Sequence, residues 1–229
     1  WQYSGARLLD ANIGGSVDND PALGAGVAYD SFLTVGATSG NLYPADYADV
    51  AKAGTARMAS VGLDGVDSWG ADGLSLDDGM VYWRDPDDGA GATFADNMGE
   101  SGDKIVVAQL TIETGLEFSA TMNAQGMGQT MDRPDMEWKQ LGLSWRHDCG
   151  TMNSCKYVVS TEILEFAVDG AGVDGLSGYT TYRLALTLGE HAVNVYSIFG
   201  NSESALQMPP AWQYSGARLL DANIGGSVD

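Results

Sequence analysis

Acidic turns carry the residues best suited to chemistry in this 229-residue chain, because carboxylates on turns are common calcium ligands. Three turns present such groups: Asp64 with Asp67, Asp85 with Asp87 and Asp88, and Asp169 with Asp174. None has EF-hand spacing, since counting from Asp85 places the required glycine at Ala90 and the closing glutamate at Asp96. Asp-Gly turns without metal are the commoner case, so a structural calcium ion is a hypothesis, and no other cofactor is predicted.

Two cysteines, Cys149 and Cys155, bracket a short polar loop with the sequence CGTMNSC. A disulfide closing this loop would stabilise the domain by roughly 2–3 kcal/mol in the chain-entropy model. A zinc site would need more ligands, and the chain has only two histidines, His147 and His191. We predict a disulfide in preference to free thiols, and therefore an oxidising compartment.

Nucleophilic catalysis has no sequence signature in this chain. A hydrolytic triad needs a nucleophile, a base and an orienting group within hydrogen-bond reach, and no G-x-S-x-G motif is present. His147 precedes Asp148 and Cys149, which suggests a Cys-His pair, but a disulfide at Cys149 would remove that nucleophile. Both histidines are therefore predicted to be structural, and the chain is predicted not to be an enzyme.

Two weaker hypotheses involve sugars. Paired carboxylates hydrolyse glycosidic bonds when they lie roughly 5–9 Å apart across a cleft. Candidate pairs are Glu113 with Glu117 and Glu162 with Glu165, although 31 acidic residues produce close pairs by chance. Exposed aromatic rings could instead bind sugar faces, although tryptophan in a β-sandwich is more often in the core. The aromatic candidates are Trp69, Tyr82, Trp83 and Trp138.

The net charge of −20 restricts the partners of the protein. Nucleic acid is excluded as a predicted partner, because binding it requires lysine and arginine to neutralise phosphates, and the chain has 11 basic residues against 31 acidic ones. No run approaches the roughly 20 apolar residues of a membrane helix, so membrane insertion is not predicted. The remaining candidate partners are neighbouring copies of the same repeat and polysaccharide.

Short apolar segments separated by glycine-rich turns predict a mainly β fold. The chain contains 31 glycines, and residues 116–125 alternate apolar and polar side chains with a period of two. Further strands are predicted at 1–9, 26–36, 104–112, 137–145, 156–166, 179–188 and 191–200. The pattern at 156–166 also fits a short helix. One short helix is predicted near residues 45–53, opened by Pro44 and closed by Gly54. Together these elements predict an antiparallel β-sandwich of jelly-roll type.

One stretch of eighteen residues occurs twice. WQYSGARLLDANIGGSVD fills residues 1–18 and returns without change at residues 212–229, a period of 212 − 1 = 211 residues. This period is long enough for a self-sufficient domain, so it predicts a string of similar domains. We divide the chain into a repeat-start strand and linker (1–26), a β-sandwich domain (27–211) and the start of the next repeat (212–229).

The repeated stretch is predicted to form the junction between successive domains. Its apolar front could add a strand to a sheet edge, and two prolines before the second copy would stiffen the exit. The predicted junction residues are Trp1, Tyr3, Leu8, Leu9, Pro209, Pro210, Trp212, Tyr214, Leu219 and Leu220. The alternative is a flexible linker between independent domains.

Three segments resemble a tandem-repeat domain of secreted or surface proteins from marine microalgae and marine bacteria. They are YDSFLTVG at 29–36, KIVVAQLTI…EFSATMNAQG at 104–126, and YRLALTLGEHAVNVYSIFG at 182–200. The resemblance implies a tandem extracellular module and no active site.

The sequence as a whole predicts a non-enzymatic structural module that repeats head to tail in a secreted filament, surface appendage or shell. A carbohydrate-binding or adhesion module is the alternative, and a glycoside hydrolase is third. The predicted location is extracellular or at the cell surface.

Overall fold

The structure is a computed structural model that describes residues 29, 31–36, 58–63, 69, 73–91, 104–130, 133–147, 159–168 and 176–212. A 3-10 helix, Pro86–Asp88, interrupts the strands. In chain order the strands are β1 Phe32–Leu33, β2 Met58–Val61, β3 Leu74–Leu76, β4 Gly79–Trp83, β5 Ala90–Gly91, β6 Lys104–Glu113, β7 Phe118–Thr130, β8 Arg133–His147, β9 Val159–Ala167, β10 Tyr179–Leu188, β11 Asn194–Val195, β12 Ser197–Gly200 and β13 Leu206–Met208. The helix predicted near 45–53 and the strand predicted at 1–9 lie outside the described residues.

The strands form two large antiparallel sheets and one small ribbon. The four-stranded sheet has the order β1-β6-β10-β9. The seven-stranded sheet has the order β2-β4-β12-β7-β13-β3, and β8 pairs with β7 as well. Strands β5 and β11 pair as the ribbon. The predicted antiparallel β-sandwich is confirmed.

The β7–β8 hairpin shows how the period-two pattern sets one sheet. Phe118, Ala120, Met122 and Ala124 are buried on one face of β7, whereas Ser119 between them is exposed. Successive side chains of a strand point to opposite faces, so this alternation buries one face of the seven-stranded sheet. Strand β8 pairs with β7 over nearly its whole length, with two register shifts.

The two central strands of the four-stranded sheet, β6 and β10, are buried on both faces. Leu110 and Leu184 belong to the core between the sheets. On the other face Gln109 and Arg183 are also buried, and the Arg183 Nε donates a hydrogen bond to Gln109 Oε1 over 3.2 Å. The Arg183 guanidinium lies 3.8 Å from the centroid of the Phe166 ring. The hydrogen bond and the ring contact offset the cost of burying this charge.

Two tryptophans bridge the sheets across the core. The Trp83 indole on β4 donates to the carbonyl of Val35, which follows β1, over 2.8 Å. The Trp145 indole on β8 donates to the carbonyl of Ala185 on β10 over 3.1 Å. Each ring therefore fills core volume and satisfies a backbone carbonyl on the side of the four-stranded sheet.

Side-chain hydrogen bonds also join the sheets along one side of the sandwich. Gln140 of β8 both donates to the Val159 carbonyl and accepts from the Val159 N–H, each over 3.4 Å. The Thr161 hydroxyl of β9 donates to the Ser144 carbonyl of β8 over 3.0 Å. Strands β8 and β9 belong to different sheets, so these contacts tie the sheet edges together.

Several sequence predictions change in detail. Among the described residues of the strand predicted at 26–36, only Phe32–Leu33 pairs as a strand. Residues 159–167 form a strand, which decides the ambiguity at 156–166 against a helix. The single strand predicted at 191–200 is two strands, β11 and β12, interrupted at Tyr196. Five short strands, β2, β3, β4, β5 and β13, have no counterpart among the predicted strands. LQM of β13, for example, is too short to show a period. Among the described residues no helix has the length and apolar character needed to cross a membrane.

Candidate junction site

The chain leaves the seven-stranded sheet at Pro209 and Pro210. Proline has no N–H to continue a strand ladder, so β13 ends at Met208. The Pro209 carbonyl accepts a hydrogen bond from the Trp69 indole over 3.0 Å. Ala211 is buried immediately afterwards. This exit is therefore held against the domain by a specific contact.

Trp212 reaches the four-stranded sheet and hydrogen-bonds to its edge. Its N–H donates to the Thr111 carbonyl of β6 over 2.8 Å. Its carbonyl accepts from the Ser31 hydroxyl over 2.7 Å, and the same hydroxyl oxygen accepts from the Thr111 N–H over 3.0 Å. We call Ser31 and Thr111 the Trp212 seat. Trp212 is the first residue of the second copy of the repeated stretch, so that copy begins on this domain.

Thr111 also binds the segment that enters the domain. Its hydroxyl donates to the Tyr29 carbonyl and lies 2.6 Å from the Thr181 hydroxyl. Since a hydroxyl has one proton to donate, Thr181 is the donor to Thr111. The entering residues Tyr29 and Ser31 and the leaving residue Trp212 thus meet at one point of β6.

Sequence reasoning finds only part of this site. Pro209, Pro210 and Trp212 are predicted junction residues, and the structure places all three along the exit. Trp1, Tyr3, Leu8, Leu9, Tyr214, Leu219 and Leu220 lie outside the described residues. Ser31 and Thr111 are missed by sequence reasoning, because a serine and a threonine 80 residues apart carry no motif.

The predicted calcium ligands fall in two groups. Asp64, Asp67, Asp169 and Asp174 lie outside the described residues. Asp85 precedes the 3-10 helix, and its Oδ1 accepts from the Asp87 N–H over 3.1 Å, the contact of a helix N-cap. Asp88 is the last residue of that helix. Within the described ranges no three His, Cys, Asp or Glu side chains converge as a metal site would require. The calcium hypothesis stays a prediction.

His147 packs in an aromatic cluster. Its ring stacks on Phe118 with centroids 5.4 Å apart and contacts Tyr182 at 4.8 Å. Phe118 and Tyr182 belong to different sheets, so the imidazole helps to fill the sandwich interior. This supports the structural role predicted for His147. Cys149 and Cys155 lie outside the described residues, and their disulfide stays a prediction.

Two buried tyrosines predict a loss of stability in alkali. Burial, and secondly the charge of Glu165, raise the pKa of Tyr182, while a hydrogen bond with Thr180 lowers it in part. Burial, and secondly Glu137, raise the pKa of Tyr196. The folded state therefore keeps both phenolic protons at pH values where the unfolded chain loses them. The contribution is complete below the unfolded pKa of about 10 and falls as pH rises through the raised pKa.

Urea unfolding at a series of pH values from about 8 to 11.5, spanning the ordinary tyrosine pKa, tests this prediction. The free energy of unfolding should fall above about pH 10, and it should fall less steeply in Tyr182→Phe and in Tyr196→Phe. A variant that loses stability in parallel with the wild type would contradict the role of that tyrosine.

Both candidate carboxylate pairs lie among the described residues. The Glu162 carboxylate forms an ion pair with the Lys104 ammonium, with Oε1 and Nζ 2.9 Å apart. Residues 162 and 165 are three apart on the regularly paired part of β9, so their side chains point to opposite faces. Glu113 and Glu117 are both exposed at the turn between β6 and β7. Within the described residues these pairs give no support to a glycoside hydrolase.

The aromatic candidates for sugar binding are mostly core residues. Trp69, Trp83 and Trp138 are buried, and each indole donates to a backbone carbonyl. Only Tyr82 is partly exposed. The hypothesis that these three tryptophans stack on sugars is therefore wrong, because protein covers their ring faces.

A shallow cleft on the outer face of the seven-stranded sheet is lined in part by Val61, Asp78, Lys139, Phe199 and Asn201. The Lys139 ammonium lies 4.8 Å from the Phe199 ring centroid and covers that ring. The Asn201 Oδ1 accepts from the backbone N–H groups of Glu203 and Ser204. Both of these polar side chains therefore have contacts within the protein itself.

Comparison with known proteins identified no related protein. No protein-family model, curated protein or solved structure matches the chain. The resemblance to marine tandem-repeat proteins therefore stays a prediction.

Proposed function

We propose that this protein is a structural repeat module that assembles head to tail in a secreted or surface-attached polymer. The observation that carries the proposal is the position of Trp212. This residue opens the second copy of an eighteen-residue repeat, and its backbone is bonded to the edge of β6. The next repeat therefore starts from a fixed point on the preceding domain.

The geometry of the seat limits the spacing of successive modules. Trp1 is the counterpart of Trp212 and would lie on the seat of the preceding module. Thirty residues, from Trp1 to Ser31, separate that seat from the next one. At about 3.4 Å per extended residue, the distance between successive seats is at most ~100 Å. Because the contact joins unlike surfaces, repetition produces an open chain of modules and not a closed dimer.

A chain of two complete periods tests the proposal. We expect small-angle scattering to show a single compact arrangement with a defined distance between the domains, below about 100 Å. The control is the same chain in which residues 213–229 of the first junction are replaced by a Gly/Ser sequence of equal length, which should behave as a flexible coil. Freely tumbling domains in the native chain, indistinguishable from the control, would contradict an ordered junction.

A further inference from the structure

The Trp212 seat recognises its occupant largely through the backbone. The Thr111 carbonyl takes the Trp212 N–H, and the Ser31 hydroxyl donates to the Trp212 carbonyl. This is the pattern by which an extended segment adds to the edge of a sheet. Strand β1 pairs with one side of β6 at Gln109 and Ala108. Trp212 lies on that same side of β6, further along the strand at Thr111. The seat therefore completes the sheet edge with a segment from a distant part of the chain.

The chain carries the segment that fits this seat twice. Residues 1–18 and 212–229 are identical, so any segment-specific fit that Trp212 has is shared by Trp1. The described domain has one Thr111 and hence one seat. We propose that the seat also binds the repeated stretch of a second chain, so that separate chains join end to end without a covalent link. This inference rests on the proposed function and adds an exchange between chains to it.

The covalent connection explains why the seat is filled within one chain. Pro209 and Pro210 restrict the backbone just before the seat, and the Trp69 indole holds the Pro209 carbonyl. The intramolecular segment therefore acts at a high effective concentration, and the stretch of a second chain binds the seat in competition with it. The net charge of −20 adds repulsion between chains, which salt screens.

The experiment weakens the intramolecular contact in the full chain without altering the seat. Trp212→Pro removes both the indole and the donor N–H, whereas Trp212→Ala removes the indole and keeps the N–H. A labelled peptide, acetyl-Pro-Pro-Ala-Trp-Gln-Tyr-Ser-Gly-amide, reproduces residues 209–216. Fluorescence anisotropy should show it binding Trp212→Pro about tenfold more tightly than Trp212→Ala, the effect of one net hydrogen bond. The same peptide with N-methyltryptophan lacks the donor and should bind Trp212→Pro about tenfold more weakly than the native peptide does.

Self-association gives a second measurement on the same two substitutions, each in a chain extended at its start. With Pro-Pro-Ala placed before Trp1, Trp212→Pro should form oligomers that grow with concentration in analytical ultracentrifugation, and excess peptide should disperse them. The Trp212→Ala counterpart should need about tenfold higher concentration to form them. A folded Trp212→Pro chain that stays monomeric and ignores the peptide would overturn the exchange. The two-period scattering result would stand independently of it.

If Trp212→Pro fails to fold, Pro209→Gly with Pro210→Gly takes its place. This double variant keeps a backbone carbonyl at residue 209 and the Trp212 N–H. The two glycines make the backbone before the seat more flexible. It should bind the native peptide more tightly than the wild-type chain does. Equal, undetectable binding to both would overturn the proposal.

Discussion

Replacing Trp145 by alanine should remove about 4 kcal/mol from the free energy of unfolding, the range found for fully buried aromatic side chains. Trp145 is 1% exposed, so its removal leaves a large cavity between the sheets. The substitution also leaves the buried Ala185 carbonyl without its indole donor. Since small domains are stable by only about 5–15 kcal/mol, the variant should lose between about a quarter and four fifths of its stability.

Urea titration followed by circular dichroism measures this effect, and two variants separate its causes. Trp145→Phe keeps much of the ring volume but loses the donor, so it should cost less than alanine. Leu141→Ala is the control on the same strand, since Leu141 is 40% exposed and its truncation should change the free energy by less than about 0.5 kcal/mol. If Trp145→Ala cost no more than Leu141→Ala, the indole would not be the bridge between the sheets.

The strands with a strong hydrophobic pattern are the ones that the sequence locates well. Strand β10 is predicted at 179–188 and is found at Tyr179–Leu188. Strand β6 is predicted at 104–112 and extends one residue further, to Glu113. Both strands are long, and their apolar residues are buried on at least one face, so local pattern and tertiary environment agree.

Short or interrupted strands depend on contacts that no local pattern encodes. The Tyr196 N–H donates to the Gln125 carbonyl and the Val193 N–H to the Met127 carbonyl. Three residues thus oppose two, which makes a bulge, and the Asn194 side chain accepts from the Met127 N–H in place of a backbone carbonyl. The sequence shows an apolar run at 191–200 but gives no sign of this bulge.

The junction is likewise only partly predictable from the sequence, because its seat depends on contacts between distant residues. The repeat itself is visible in the sequence, and the two prolines mark where a strand must stop. The seat, however, consists of one hydroxyl and one stretch of backbone, Ser31 and Thr111, brought together by the pairing of β1 with β6. Chemistry of this kind is set by topology, since almost any residue supplies a backbone carbonyl.

Replacing Gly126 by alanine should destabilise the domain by at least about 3 kcal/mol, the upper end of the cost of overpacking. A Cβ at this position would lie 1.8 Å from the Asn194 carbonyl oxygen and 2.5 Å from a ring carbon of Trp138. The backbone of the bulged segment therefore has to move away from β7. That movement would strain the hydrogen bonds of the Asn194 side chain to the Met127 N–H and to the Pro86 carbonyl.

A second glycine, Gly115, provides the control. It is required for its positive φ and not for the absence of a side chain. Gly115 has a φ of 85°, and no atom lies within 4 Å of the point that a Cβ would occupy. Gly115→Ala should therefore cost only about 1–2 kcal/mol of left-handed strain. Urea unfolding of both variants compares the two costs directly.

Near-ultraviolet circular dichroism distinguishes the two variants by their tryptophan signal. The spectrum should change in Gly126→Ala, since the Trp138 ring must shift away from the added methyl group, and it should stay native in Gly115→Ala. Equal costs with an unchanged tryptophan signal would show that the close approach of Asn194 to β7 is not what fixes this part of the sheet.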